Sequence, residues 1–170
     1  MAINRKDVVT RTAVGAVYVL IMGVCTLLSW WTTLAAVCVT AGLCVWEFLS
    51  MAKSAGMHPY RSIGTVTAVC IPLAMALNAG GTHIVALGLG VAFLGGILCL
   101  LRFFVHEQDS IVDVAITVFA FLYVGLTLGS FLLLRDFDPG FGGGVMCLLI
   151  LLSIWGNDAF AYLGGSAFGK

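Results

Sequence analysis

The chain is 170 residues long, 61% hydrophobic and 9% charged, with a mean hydropathy of +1.11, whereas soluble domains carry about 25% charged residues. Eight basic and eight acidic residues leave a formal net charge of zero, which excludes a broad basic surface for nucleic acid. Water is therefore not the main solvent of this chain, and an anionic ligand must be met by local groups.

The basic N-terminus, with Arg5, Lys6 and Arg11, precedes an apolar run that resembles a secretory signal, but the run is too long. Thr12 to Trp46 holds no charge over 35 residues; as one helix it would reach about 52 Å, against a hydrocarbon core of roughly 30 Å. It must fold back as two spans. The polar stretch Ser29-Trp30-Trp31-Thr32-Thr33 marks the break, its paired tryptophans suiting the membrane interface. Span one is expected over about Ala13 to Leu28 and span two over about Leu34 to Met51. The loop that follows contains Lys53, Gly56, His58, Pro59 and Arg61.

Ser62 to Leu101 is a second uncharged stretch, divided by the turn signal Asn78-Ala79-Gly80-Gly81-Thr82 into spans three and four. Arg102 to Asp113 reads as a charged loop, with Ser110 and Asp113 forming a capping box at the start of span five and Asp109 near the same positive helix end. Span five covers Val114 to Leu134, and its Gly125 and Gly129 form a GxxxG suited to close helix packing. Arg135 to Gly144 is read as an outer loop, with Asp136 and Asp138 beside the Pro139-Gly140 turn. Span six runs from near Val145 to about Leu163, where Gly164-Gly165-Ser166 ends the apolar pattern.

The fold expected is all-α, a polytopic transmembrane bundle of about six spans, with residues 1–170 forming one integral membrane region. With the N-terminus cytoplasmic, the inner side holds Arg5, Lys6, Arg11, Lys53, Arg61, Arg102 and Lys170, and the outer side only Arg135. That asymmetry favours the N-in topology. The six cysteines, Cys25, Cys38, Cys44, Cys70, Cys99 and Cys147, all lie in apolar runs without a CxxC or Cys/His cluster, and read as small hydrophobes.

Asp158 is the one carboxylate well inside span six, with Tyr162 one turn further on the same helix face. In this topology Glu47, near the end of span two, lies at a similar cytoplasmic depth. A carboxylate near the bilayer centre costs at least about 2.5 kcal/mol on insertion scales, so it usually has a partner or a function. Gly164 to Lys170 matches the spacing G-x-x-x-x-G-K of a phosphate loop, although a membrane helix precedes it where a phosphate loop has a strand. Glycines that let backbone N–H groups approach an anion, and a lysine as a point charge, remain useful for phosphate. A helix C-cap glycine followed by a positive-inside lysine accounts for the same residues.

Asn157-Asp158-Ala159-Phe160-Ala161-Tyr162, followed by Phe168-Gly169-Lys170, resembles the phosphatidate cytidylyltransferases, or CDP-diacylglycerol synthases. Weaker traces upstream are Arg11-Thr12 with Gly15, Trp46-Glu47, Tyr123-Val124-Gly125 and Leu134-Arg135. Two positions depart from the family pattern: Ala159 stands where Thr or Ser is common, and Ser166 where a basic residue is common. The family continues beyond this block into a polar lysine-rich segment and an aspartate-rich signature, so residues 1–170 are expected to be the N-terminal portion of a longer enzyme, inactive alone.

The resemblance implies transfer of a cytidylyl group from CTP to phosphatidate, giving CDP-diacylglycerol and pyrophosphate, at the cytoplasmic side of a bacterial inner membrane. It implies Mg²⁺, with Asp158 as metal ligand and catalytic residue, and Asn157, Tyr162, Gly165, Gly169, Lys170 and Glu47 contacting substrate. CTP, phosphatidate and the lipid bilayer are the partners implied, with a homodimer as a further option. Two alternatives stand beside it: a transporter or channel fragment with Glu47 and Asp158 on an ion path, and a CTP-dependent polyprenol or phytol kinase.

Overall fold

The computed structural model describes residues 5–77, 83–105, 110–138 and 141–168. Its elements are α1 (Arg5–Leu28), α2 (Trp30–Ser54), α3 (Arg61–Ala76), α4 (Ile84–Val105), α5 (Ile111–Phe121), a π-helical turn (Leu122–Leu126), α6 (Thr127–Asp136) and α7 (Phe141–Phe168). Residues 111–136 form one interrupted rod, so the helices make six apolar segments in the expected order. Among the described residues, four stretches are long and apolar enough to cross a membrane, Trp30–Ser54, Ile84–Val105, Ile111–Asp136 and Gly142–Ala161, beside the shorter apolar stretches Gly15–Leu28 and Arg61–Ala76. The chain is an all-helical polytopic bundle. The turn expected at Asn78 to Thr82 lies outside the described residues, as do Asp109 and the Pro139-Gly140 pair.

The break between the first two helices is narrower than expected. Only Ser29 separates α1 from α2, and Trp30 to Thr33 belong to α2. Ser29 and Thr32 form a reciprocal capping box, and the hydroxyls of Thr32 and Thr33 donate to the Cys25 carbonyl at 2.6 and 3.3 Å. Side chains thus satisfy polar groups at both helix ends, and no longer loop is required.

The break after α2 follows the sequence reading. Gly56 has φ +90°, Met57 N–H donates to the Ala52 carbonyl and Gly56 N–H to that of Lys53. These are the two bonds of a Schellman motif, which needs a residue in the left-handed region.

At 16 residues α3 is the shortest of the six segments, about 24 Å long, and it occupies the centre. It packs against α2, α4, α5, the π-helical turn and α6. Ala68, Ile71 and Met75 are buried on it and join Val45, Leu49, Ala92, Cys99 and Phe121 in one core. Pro72 lies within this helix and offers no N–H to the Ala68 carbonyl. Gly125, in the π-helical turn, is set against that freed carbonyl: a Cβ there would lie 3.4 Å from the oxygen and 2.7 Å from Ile71 Cδ1. Gly129 meets Met75 in the same way. The GxxxG therefore serves close packing. We expect Gly125→Leu to cost about 3 kcal/mol by overpacking a buried backbone contact, read as a lowered melting temperature in detergent; Gly129→Ala, whose close contact is the flexible end of Met75, costs less.

Several charged positions expected in loops are in helices: Lys53 lies in the last turn of α2, Arg61 opens α3, Asp113 is in the first turn of α5 and Asp136 ends α6. Arg102 lies in the last turn of α4. Arg135 lies in the last turn of α6 and is 5% exposed, packed where Gly144 leaves room beside its guanidinium. The connection is shorter than the expected Arg135 to Gly144 because α7 begins at Phe141. Gly143 permits this: its N–H donates to the Asp138 carbonyl at 3.1 Å, and a Cβ would lie 2.4 Å from both the Arg135 and Asp138 carbonyl oxygens.

Candidate functional site on the last helix

The segment that carries the chemical motif belongs to α7, whose packing partners are α1 and α6. Tyr18 and Trp155 meet edge to face at 6.3 Å, Gly23 faces Leu148, and Gly144 lies against the Thr26 carbonyl. These pairings run antiparallel. Carried toward the end of α7, the same register sets Asp158 level with the turn of α1 about Gly15, just inside the basic residues that open α1. Asn157 and Asp158 are exposed.

Along α7, Asp158, Tyr162 and Gly165 fall four and three residues apart, which places them on one stripe of the helix. The side chain of Tyr162 lies outside the described residues, as do Gly169 and Lys170. Gly165 is exposed, and a Cβ there would meet nothing within 4 Å.

One expectation about this segment changes. Gly164-Gly165-Ser166 ends the apolar pattern but not the helix, since α7 continues to Phe168. A helical interior glycine costs only about 1 kcal/mol relative to alanine, and no capping geometry intervenes. Over Gly164–Phe168 the backbone N–H groups therefore point back along the helix, where an α-helix directs them to carbonyls four residues earlier. They do not form an open phosphate-cradling loop.

Glu47 is on another wall. It is exposed on α2 and lines a groove of about 360 Å³ against α5 and the π-helical turn, with Cys44, Phe48, Met51, Phe119 and Tyr123. Thr40 Oγ1 approaches Met22 Sδ at 4.0 Å, and this α1–α2 register also sets Glu47 level with Gly15. Glu47 and Asp158 thus share a depth, on two helices that both pack on α1 and α6. Among the described residues no group of three His, Cys, Asp or Glu side chains is arranged to hold a metal ion.

Asp113 does more than cap α5. The capping box at the start of α5 is present, with Ser110 N–H donating to Asp113 Oδ2 at 3.1 Å. The same carboxylate also accepts from His58 N–H at 2.6 Å, across 55 residues, and is 3% exposed. One turn later, Thr117 Oγ1 accepts from Tyr60 N–H at 3.0 Å and donates to the Asp113 carbonyl at 2.6 Å. The α2–α3 loop is thereby fastened to the start of α5. The available signal was the Asp113-x-x-x-Thr117 spacing, which puts two acceptors on one helix face.

Residues 9–170 match the model of the Cytidylyltransferase family. No curated protein and no solved structure matches the chain. The family match covers nearly the whole sequence, from Val9 on α1 through the Asn157–Tyr162 block of α7. The chain belongs to the cytidylyltransferase family.

Proposed function

We propose that this chain is part of an enzyme that transfers the cytidylyl group of CTP to phosphatidate, releasing pyrophosphate and leaving CDP-diacylglycerol in the membrane. The observation that carries this reading is the exposed pair Asn157 and Asp158 near the end of an otherwise apolar helix, within a chain whose family transfers cytidylyl groups. In the reaction, a phosphate oxygen of the lipid forms a bond to the α-phosphorus of CTP. The bond from that phosphorus to the bridging oxygen of the β-phosphate breaks, and pyrophosphate leaves with the electron pair.

Both substrates are anions, so the site must offset their repulsion and the charge that develops on the leaving group. A divalent cation supplies that charge when bound. Mg²⁺ usually takes one or two carboxylates with water and phosphate oxygens completing an octahedron, a donor set that one exposed aspartate suits. We assign Asp158 to that ligation, Asn157 and Tyr162 to shaping the site, Gly165 to close approach of substrate, and Gly169 and Lys170 to the phosphates. Glu47, at the same depth on another wall, is assigned a contact with the lipid substrate. The excess of Lys and Arg at one end of the bundle supports a cytoplasmic site, where CTP is present and phosphatidate offers its headgroup.

The test uses the full-length enzyme in detergent micelles with CTP labelled at either the α- or the γ-phosphorus. With phosphatidate as acceptor, α-label is expected in the lipid and γ-label in pyrophosphate. Transfer of γ-label to a polyprenol or phytol would instead establish a lipid kinase and overturn the proposal. Absence of label from lipid in both cases, with Mg²⁺ supplied, would also overturn it.

A further inference from the structure

A second site is built between α2 and α3, away from α7. The two helices run antiparallel, and on α2 the positions Val39, Leu43, Trp46 and Ser50 follow one another at helical spacing. On α3 the facing positions are Arg61, Thr65 and Val69. Between them lies a groove of about 560 Å³ lined by Cys38, Val39, Gly42, Leu43, Trp46, Thr65 and Val69. Val39 and Leu43 are exposed, so the groove opens to the lipid side of the bundle. Gly42 sets its floor, where a Cβ would lie 3.1 Å from Val69 Cγ2.

Arg61 closes one end. Its guanidinium carbon lies 4.0 Å from the centre of the Trp46 ring, and Nη2 donates to Ser50 Oγ at 2.6 Å. The indole and the hydroxyl orient the guanidinium without neutralising it, since both partners are uncharged. Nε is buried and finds no acceptor among the described residues, and neither does the buried hydroxyl of Thr65 one turn below. A guanidinium has five N–H donors in a planar fork that matches phosphate. Tryptophan is also the side chain that best occupies the headgroup level of a bilayer.

We propose that this groove is a binding site for an anionic phospholipid of the surrounding leaflet. An acyl chain lies along the strip from Trp46 to Val39, about 10 Å of helix, and the phosphate meets the Arg61 guanidinium. The occupant follows from the pairing of an apolar trough with one oriented, un-neutralised cation at its end. A free phosphate ion would leave the trough unused, and a zwitterionic lipid brings its own cation beside Arg61. The site is separate from the Asp158 stripe and holds whether or not phosphatidate is the acceptor.

The experiment is native mass spectrometry of the full-length protein released from nanodiscs containing equal parts phosphatidylglycerol and phosphatidylcholine with identical acyl chains. Retained lipid is expected to favour phosphatidylglycerol by roughly tenfold, the scale of one charge-assisted hydrogen-bonded contact. Arg61→Gln should abolish the preference, and Leu43→Trp, which fills the trough, should lower retention of both lipids. Arg61→Lys, which keeps the charge but not the planar fork, tests the same point if the glutamine variant does not fold; its preference should fall at least about threefold. A preference unchanged in a folded Arg61 variant would overturn the site, as would displacement of phosphatidylglycerol by inorganic phosphate.

Discussion

Asp158→Asn is expected to lower CTP incorporation into lipid by about 100-fold or more in the full-length enzyme, with the melting temperature unchanged. The size follows from the role assigned: a carboxylate that holds a divalent cation contributes charge that its amide isostere lacks, and losses of charge stabilisation at such sites run to about 100- to 1,000-fold. The absence of a stability effect follows from its place. Asp158 is exposed on α7, and substitutions at exposed positions usually fall within about 0.5 kcal/mol. Measuring initial rates with α-labelled CTP over a range of Mg²⁺ concentrations separates a ligand from a bystander. A metal ligand predicts that the residual activity of Asp158→Asn requires more Mg²⁺; near-normal turnover would remove Asp158 from the site. Asn157→Ala, beside it on the helix, serves as the comparison and is expected to lose less.

Asp113→Ala should have the opposite profile, a loss of fold rather than of chemistry. Its carboxylate accepts from the N–H groups of His58 and Ser110 while almost fully buried. Alanine leaves two backbone donors without their acceptor, each costing about 1–3 kcal/mol if no water reaches it, so a total near 3 kcal/mol is expected. The consequence is local before it is global. Freed from α5, the loop between α2 and α3 should become accessible to protease at Lys53 and Arg61, and the melting temperature in detergent should fall by several degrees. Asp113→Asn retains one acceptor oxygen and should recover part of the loss. Protease resistance equal to that of the native protein would show that the Thr117 to Tyr60 bond holds the loop unaided.

These two aspartates show where sequence reading succeeds and where it stops. Asp158 was legible because a charge in an apolar helix is conspicuous against its neighbours, and because the block from Asn157 to Tyr162 carries a family resemblance. Asp113 was legible only as a local cap, since its spacing from Ser110 is written in the chain. Its bond to His58 is not, because a contact across 55 residues depends on which helices become neighbours. Arg135 was misplaced for a related reason. A cation near a Pro-Gly turn reads as a loop residue, yet tertiary packing beside Gly144 made a buried helical position for it.

The six apolar segments, their order and the break at Gly56 were determined by the sequence itself, since hydrophobic length and turn chemistry are local properties that the bilayer solvent enforces. The Asn157-Asp158 block and the family it indicates were likewise written in the residues. The tertiary structure alone decided that the short α3 sits at the centre, with Gly125 against the carbonyl freed by Pro72. It also decided that Glu47 and Asp158 share a depth on helices that both pack on α1 and α6, and that Arg61 is oriented on Trp46 at the head of an apolar trough. Those outcomes depend on the lateral arrangement of helices, which apolar periodicity does not encode because lipid and protein neighbours are equally hydrophobic.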